Sequence, residues 1–270
     1  MSTPLGLIAG EGQFPFLVAE GARSRNRTVV AVAFTGHTCP ELKSQVDALQ
    51  WLRLGQLGKL LNFFKRRDVR EVVFAGAINK PKALHLRPDF RAARLLFRLR
   101  NKNDNSLLGA VARELESEGL SIVSPLAFAP GLMTPPGVLT RRHPSQRELS
   151  DVCFGWPLGK SLGDMDIGQC LVVKEEMVIA VEAMEGTNAT IHRAGELAGT
   201  GCVVIKVFKP GQEAHIDQPA IGTGTIRTMV EAGATCLAVE ARKSLFFDQQ
   251  ESIALADRHG ICILGWEAGE

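Results

Sequence analysis

Residues 5–15, LGLIAGEGQFP, pass from a five-residue apolar run through a glycine-rich turn to a proline placed to open a helix. Outward from this stretch the same alternation repeats. A helix follows Pro15, an apolar run spans Val29 to Phe34, a helical pattern spans Gln56 to Arg67, and a third apolar run spans Glu71 to Ala75. A further helix is predicted over Asn105 to Glu118, followed by a short strand over Ser121 to Val123. Strands separated by helices of this length imply a largely parallel sheet, because parallel neighbours need a crossover connection. Between Ala129 and Pro144 the pattern dissolves into APGLMTPPGVLTRRHP, a Pro/Gly-rich linker expected to be semi-rigid. A second α/β unit follows: a helix near Ser145 to Ser161, then apolar runs at Cys170 to Lys174, Met177 to Glu182, Cys202 to Phe208, Cys236 to Glu240 and Cys262 to Leu264. Helices are expected to start at Thr187, Thr223 and Gln249. Lys174-Glu175-Glu176-Met177 sits between two apolar runs and predicts a hairpin, so this second sheet is expected to be mixed.

Composition narrows the function classes. The 270 residues carry a net charge of +2 with 22% charged and 45% hydrophobic residues, an ordinary globular profile whose bulk charge argues for neither nucleic acid nor an anionic membrane. Six scattered cysteines show no C-x-x-C spacing, which excludes the usual zinc and redox motifs, and Cys170, Cys202, Cys236 and Cys262 read as buried thiols. The opening MSTPLGLIAGEG has neither a basic region nor a long enough apolar core for a signal peptide, and no apolar run reaches the roughly 18 residues of a membrane span. A cytoplasmic location is expected.

Candidate binding residues lie where strands end. Gly10, Glu11, Gly12 and Gln13 form the first such loop, and Gly76, Ile78 and Asn79 belong to a second after the third strand. Such loops line ligand sites in open α/β sheets, although a plain strand-to-helix turn explains the first about as well as a phosphate contact. An NAD site is disfavoured, since Phe34-Thr35-Gly36-His37 supplies no ribose-binding carboxylate. Arg91, Arg94, Arg98 and Lys102 share one helical face, with Leu95, Leu96 and Leu99 on another, which reads either as a solvated face or as a contact for an anionic membrane surface.

The richest stretch begins at Asp166-Ile167-Gly168-Gln169 and continues through Glu182 and Glu185 to Thr187 and Asn188, a layout suited to a metal ion beside a phosphate; simple helix capping is the alternative for Thr187 and Asn188. Lys206 and Lys209 follow, and then Glu213, His215 and Asp217 at alternating positions, able to hold Mg²⁺ or activate water, or else merely charges on a surface loop.

Taken together, GLIAGEGQFP at 6–15, FAGAINKP at 74–81, DIGQCLVVKEEMVIAVEAMEGTNA at 166–189, KPGQEAHIDQPAIG at 209–222 and EARKSLFFDQQESIALADRHGI at 240–261 resemble the UDP-2,3-diacylglucosamine pyrophosphatases of lipid A synthesis, of the type unrelated to the calcineurin-like enzymes. The resemblance covers nearly the whole chain. It implies hydrolysis of a UDP-linked diacylated glucosamine to UMP and the lipid 1-phosphate, with a divalent metal, usually Mg²⁺, and water attacking the α-phosphorus. It also implies a nucleotide-binding-like first domain, with the lipid product held between the domains. The family's most important aspartate matches Asp217. The chain departs at Asn188, where aspartate is common, and at His215, where arginine is common.

The expected architecture is therefore an N-terminal Rossmann-like domain over residues 1–132 and a C-terminal catalytic mixed-sheet α/β domain over 138–270. Asp217 and Glu213, with Glu185, are expected to organise the metal and the attacking water. The competing expectation is a non-catalytic carrier of acylated sugar phosphates. Peripheral contact with the inner face of the membrane is expected, nucleic acid is not, and a homodimer is compatible with the chain without any motif calling for one.

Overall fold

A computed structural model describes residues 3–78, 88–98, 104–210 and 218–267. The first compact unit runs to Gly131 and the second begins at Leu132. Leu99, Lys102, Asn79, Glu213, His215 and Asp217 lie outside the described residues.

The first unit contains β1 (Leu5–Ala9), α1 (Phe14–Arg23), β2 (Val29–Phe34), β3 (Ala48–Leu52), α2 (Leu57–Lys65), β4 (Glu71–Ala75), α3 (Phe90–Arg98), α4 (Asp104–Ser117) and β5 (Ser121–Ile122). Its five strands lie in the order β3-β2-β1-β4-β5, all parallel, the Rossmann-like arrangement. Every residue of β1 and β2 is buried, as expected of inner strands covered on both faces. Ile8, Val30, Val32 and Phe74 pack against Leu60, Leu61 and Phe64 of α2 and Leu115 of α4. Strand β3 was not expected. Its ALQWL sequence offers no continuous apolar run, and only Leu52 is buried, because an edge strand needs to bury little.

The second unit contains β6 (Gly137–Val138), α5 (Gln146–Asp164), β7 (Cys170–Lys174), β8 (Met177–Val181), α6 (Thr187–Ala198), β9 (Val203–Lys206), β10 (Ala220–Ile221), α7 (Thr223–Ala232), β11 (Cys236–Glu240), β12 (Leu245–Phe246), α8 (Gln249–Arg258) and β13 (Cys262–Trp266). Six strands form a mixed sheet in the order β6-β13-β11-β9-β7-β8, in which β9, β11 and β13 are parallel while β6 and β7 run against their neighbours. Alternation along β9 decides the layers. Val204 faces Ile191 of α6, Met229 of α7 and Ala256 of α8. Val203 and Ile205 face Val152 and Trp156 of α5 on the other side.

The predicted β7–β8 hairpin is present and has an unusual turn. Glu175 and Glu176 both adopt left-handed backbone, φ 51° and 54°, in a tight turn that favours Asn-Gly. The buried carboxylate of Asp151 accepts from both turn amides, at 3.2 and 2.6 Å, which offsets the cost.

The proline pair is laid along the sheet. Thr134 donates its amide to the Ser244 carbonyl at 2.9 Å, and β6 pairs with β13 immediately after Pro136. Gly265 makes this approach possible, because a Cβ there would fall 1.9 Å from the Pro135 carbonyl oxygen. Helix α5 then opens with a capping box: Ser145 Oγ accepts from the Glu148 amide at 3.3 Å, and Glu148 Oε2 accepts from the Ser145 amide at 2.7 Å.

Candidate functional site

In the first unit the chain turns back between β1 and β4, so the topological switch point lies at their carboxyl ends. The two predicted loops meet there. The Gly10 amide donates to Ala75 at 2.8 Å, the Glu11 amide to Ala77 at 2.7 Å, and the Ala77 amide returns to Glu11 at 3.3 Å. Gly10 is required by this contact, since a Cβ would lie 2.5 Å from the Ala77 carbonyl oxygen. Gly12 and Gln13 continue the first loop to α1, and Gly76 and Ile78 flank Ala77 in the second. Glu11 Oε1 lies 2.9 Å from His37 Nδ1, so a residue from the loop after β2 joins the group. Sequence reading passed over His37 because its contact with Glu11 spans 26 positions.

In the second unit the carboxyl ends of β9 and β11, the start of β7 and the end of β8 share one edge of the sheet. Lys206, the last residue of β9, is only 5% exposed there. Its Nζ donates to Thr187 Oγ1 at 3.1 Å and to the Ala220 carbonyl at 2.7 Å. Thr187 Oγ1 in turn donates to Glu182 Oε1 at 3.2 Å, and Glu182 Oε2 accepts from the Gln169 amide at 3.3 Å. Lys206, Thr187 and Gln169 are thus joined through Glu182, a buried carboxylate that leaves β8.

Lys206 also connects two helix starts. Thr187 opens α6, and Ala220 lies just before Gly222, which precedes α7. The N-cap positions of both helices are glycines, Gly186 and Gly222, so neither N-terminus has a capping side chain. The capping alternative for Thr187 is thereby corrected: Gly186 occupies the cap, which frees the Thr187 hydroxyl for Glu182. Uncapped helix N-termini present amide donors and partial positive charge, the arrangement that receives phosphate oxygens.

A second group of charges extends this edge. Lys209, 4% exposed, has its Nζ 2.7 Å from Asp166 Oδ1. Lys160 of α5 ion-pairs with Glu240 at the end of β11 and also donates to the Phe208 carbonyl at 2.8 Å. Lys243 Nζ reaches the other Glu240 oxygen at 2.9 Å, and the Phe208 amide donates to Glu240 at 2.9 Å. Burial pushes the Glu240 carboxyl upward, but Lys160, Lys243 and this amide outweigh it and hold the group below the usual carboxylate range. Lys160 and Glu240 were missed. Their contact spans 80 positions, and only the place of Glu240 at a strand's carboxyl end could have flagged it.

Glu185 and Asn188 are placed differently. Glu185 is exposed and pairs with Arg193 at 2.8 Å while accepting from the Ala183 amide at 3.1 Å. Its own and neighbouring backbone amides, with Arg193, hold its carboxyl low. Asn188 is exposed in the first turn of α6. Among the described residues no group of three His, Cys, Asp or Glu side chains could hold a metal ion, and the carboxylates of Glu182 and Glu240 are engaged by Thr187, Lys160 and Lys243. Glu213 and Asp217, the loop carboxylates on which the metal reading rests, lie outside the described residues. Four cysteines are buried as expected, and among the described residues no helix is long and apolar enough to cross a membrane.

Comparison with known proteins agrees with this two-unit arrangement. The model of the LpxI N-terminal domain matches residues 4–132, and that of the LpxI C-terminal domain matches residues 135–264. Over an alignment of 277 residues the chain is 32% identical to the UDP-2,3-diacylglucosamine pyrophosphatase LpxI of Caulobacter vibrioides, covering 98% of both proteins. With both domains matched in order and a relative similar from end to end, this chain belongs to the LpxI family.

Proposed function

We propose that this protein is a hydrolase that cleaves the pyrophosphate of UDP-2,3-diacylglucosamine, releasing UMP and 2,3-diacylglucosamine 1-phosphate. Water forms a new bond to the α-phosphorus, the bridging P–O bond breaks, and the lipid phosphate leaves. The observation that carries this reading is Lys206: a lysine nine-tenths buried which, among the described residues, donates only to neutral oxygens, beside two helix N-termini without side-chain caps. A buried cation without a carboxylate in contact is costly unless an anion completes it. A pyrophosphate does so, and its charge increases at the leaving oxygen during cleavage.

In this proposal Lys206 and Lys209 offset phosphate charge. Thr187 and Glu182 position Lys206, and Gln169 and Asn188 border the same edge. Within the first unit, the loops at Gly10–Gln13 and Gly76–Asn79 carry the candidate nucleotide-contacting residues at the carboxyl ends of β1 and β4. Mg²⁺ belongs to the proposal through Asp217 and Glu213, with Glu185 near α6, and would supply charge neutralisation and an activated water. The acyl chains of the substrate place the protein in peripheral contact with the inner face of the membrane.

The test is UMP release from UDP-2,3-diacylglucosamine in detergent, with and without Mg²⁺, by the wild type and by Asp217→Ala. Metal-dependent release that disappears in the variant supports the proposal. A folded wild type that binds the lipid yet releases no UMP with any of several divalent metals would sink it in favour of a carrier.

A further inference from the structure

Helix α3 exposes two phenylalanines to water, Phe90 at 87% and Phe97 at 93% of their surface. At about 100° per residue, positions seven apart fall within roughly 20° of each other and about 10 Å apart along the axis, so the two rings share one stripe. The buried residue of the helix, Ala92, lies on the opposite side. Ala93, Arg94 and Arg98, all exposed, complete the outer face.

Arg94 and Arg98 are exposed and Leu95 and Leu96 half-buried, as the expected division of α3 has it, but Arg91 departs from the outer face and the phenylalanines join it. Arg91 turns toward α4, where its Nε lies 2.7 Å from Glu114 and its Nη2 pairs with Glu118. Lys65 engages Glu118 as well. Asp89 accepts from the Gly58 amide at 2.8 Å and the Ala92 amide at 2.9 Å, capping the helix. The acids bordering α3 thus have partners, and its outward face among the described residues presents two aromatic rings and two guanidinium groups.

We infer that this face is a docking surface for an anionic lipid bilayer, with Phe90 and Phe97 entering the boundary between headgroups and acyl chains and Arg94 and Arg98 resting on lipid phosphates. Interfacial helices bury an apolar face to about 5–10 Å while cationic side chains stay at headgroup level. Charge complementarity selects the bilayer over a second copy of the chain. A two-fold contact would bring the same patch against itself, opposing arginine to arginine. The inference builds on the proposed action on an acylated substrate, but its test does not require catalysis.

The test is co-sedimentation of the full chain with vesicles of two parts phosphatidylcholine to one part phosphatidylglycerol. The wild type is expected to bind, and to bind less in pure phosphatidylcholine and in high salt. Phe90→Ser/Phe97→Ser and Arg94→Gln/Arg98→Gln should each weaken binding by roughly tenfold or more, with unchanged circular dichroism and unchanged UMP release from detergent-dispersed substrate. Wild-type binding no stronger than that of the phenylalanine variant overturns the inference. So does concentration-dependent self-association, lost in that variant, without vesicle binding. Vesicle binding without UMP release supports docking and removes the hydrolase; UMP release without vesicle binding does the reverse.

Discussion

The two ends of the C-terminal sheet both bury carboxylates beside cations, yet they are built for different ends. Before β11 and β13, Arg142 grips Glu148 with both arms, at 2.9 and 2.8 Å, while its Nε donates to the Gly260 carbonyl at 2.6 Å and it also reaches the Thr235 carbonyl. The Thr235 hydroxyl and Ser145 amide supply two more donors to the same carboxylate, at 2.7 Å each. Burial would raise the Glu148 carboxyl, but Arg142, Ser145 and Thr235 overcome it and hold it at about 2. At the opposite edge the cations are lysines, and among the described residues Lys206 contacts a hydroxyl and a carbonyl rather than an acid. A planar fork matched to a carboxylate fixes structure, whereas a lysine point charge on neutral oxygens can exchange them for phosphate. On the proposed function, the same elements of charge serve rigidity at one end and a phosphate ligand at the other.

The sharpest way to break this contrast is Arg142→Ala. Removing one partner leaves Glu148 buried and unpaired, so a loss of about 3–5 kcal/mol in stability by urea titration is expected, with KM unchanged in the folded fraction. At the other edge Lys206→Met should lower kcat/KM by about 10²–10³-fold, as for loss of one preorganised donor. Its thermal midpoint should stay near that of the wild type. If Lys206→Met instead unfolds the protein and leaves turnover intact, the two ends have been assigned the wrong way round.

Acid titration sharpens the comparison further. Glu148 is depressed from an unfolded value of about 4.3, so its contribution is fully present above that pH and is lost as pH falls toward its folded value of about 2. Glu148→Gln should therefore flatten the loss of stability below about pH 4.5. Urea unfolding at several pH values reads this directly, and an unchanged acid limb would contradict it. The smallest expected effect is that of Thr187→Val, which removes the hydroxyl between Lys206 and Glu182. A roughly tenfold fall in kcat/KM is expected, the size of one hydrogen bond near a charge.

What could be read beforehand follows from how far apart the cooperating residues lie. Strands β1, β2, β4, β9 and β11 announced themselves because inner strands are continuous apolar runs, and the lysine ending one of those runs was legible for the same reason. β3 stayed hidden because an edge strand with one buried residue carries no such run. Thr187 was legible as the start of a helix, but its partner was not: Gly186 takes the cap, and the hydroxyl is directed by Lys206, 19 positions downstream. The Glu240–Lys160 pair and the grip of Arg142 on Thr235 span 80 and 93 positions, distances over which local pattern carries no information. On α3 the helix was legible, but the sequence did not show that acids on α4 would draw Arg91 aside and leave the phenylalanines outward.

The position of β13 has a consequence for synthesis on the ribosome. This strand, the last among the described residues, lies between β6 and β11, so the sheet has a gap in its interior until residues 262–266 emerge, whereas the N-terminal sheet can close once β5 has been made. The second unit therefore completes its core only after residues 262–266 have been made, and its nascent form exposes the flanks of β6 and β11 as unpaired edges. A premature stop just before Cys262 would remove an interior strand rather than a tail.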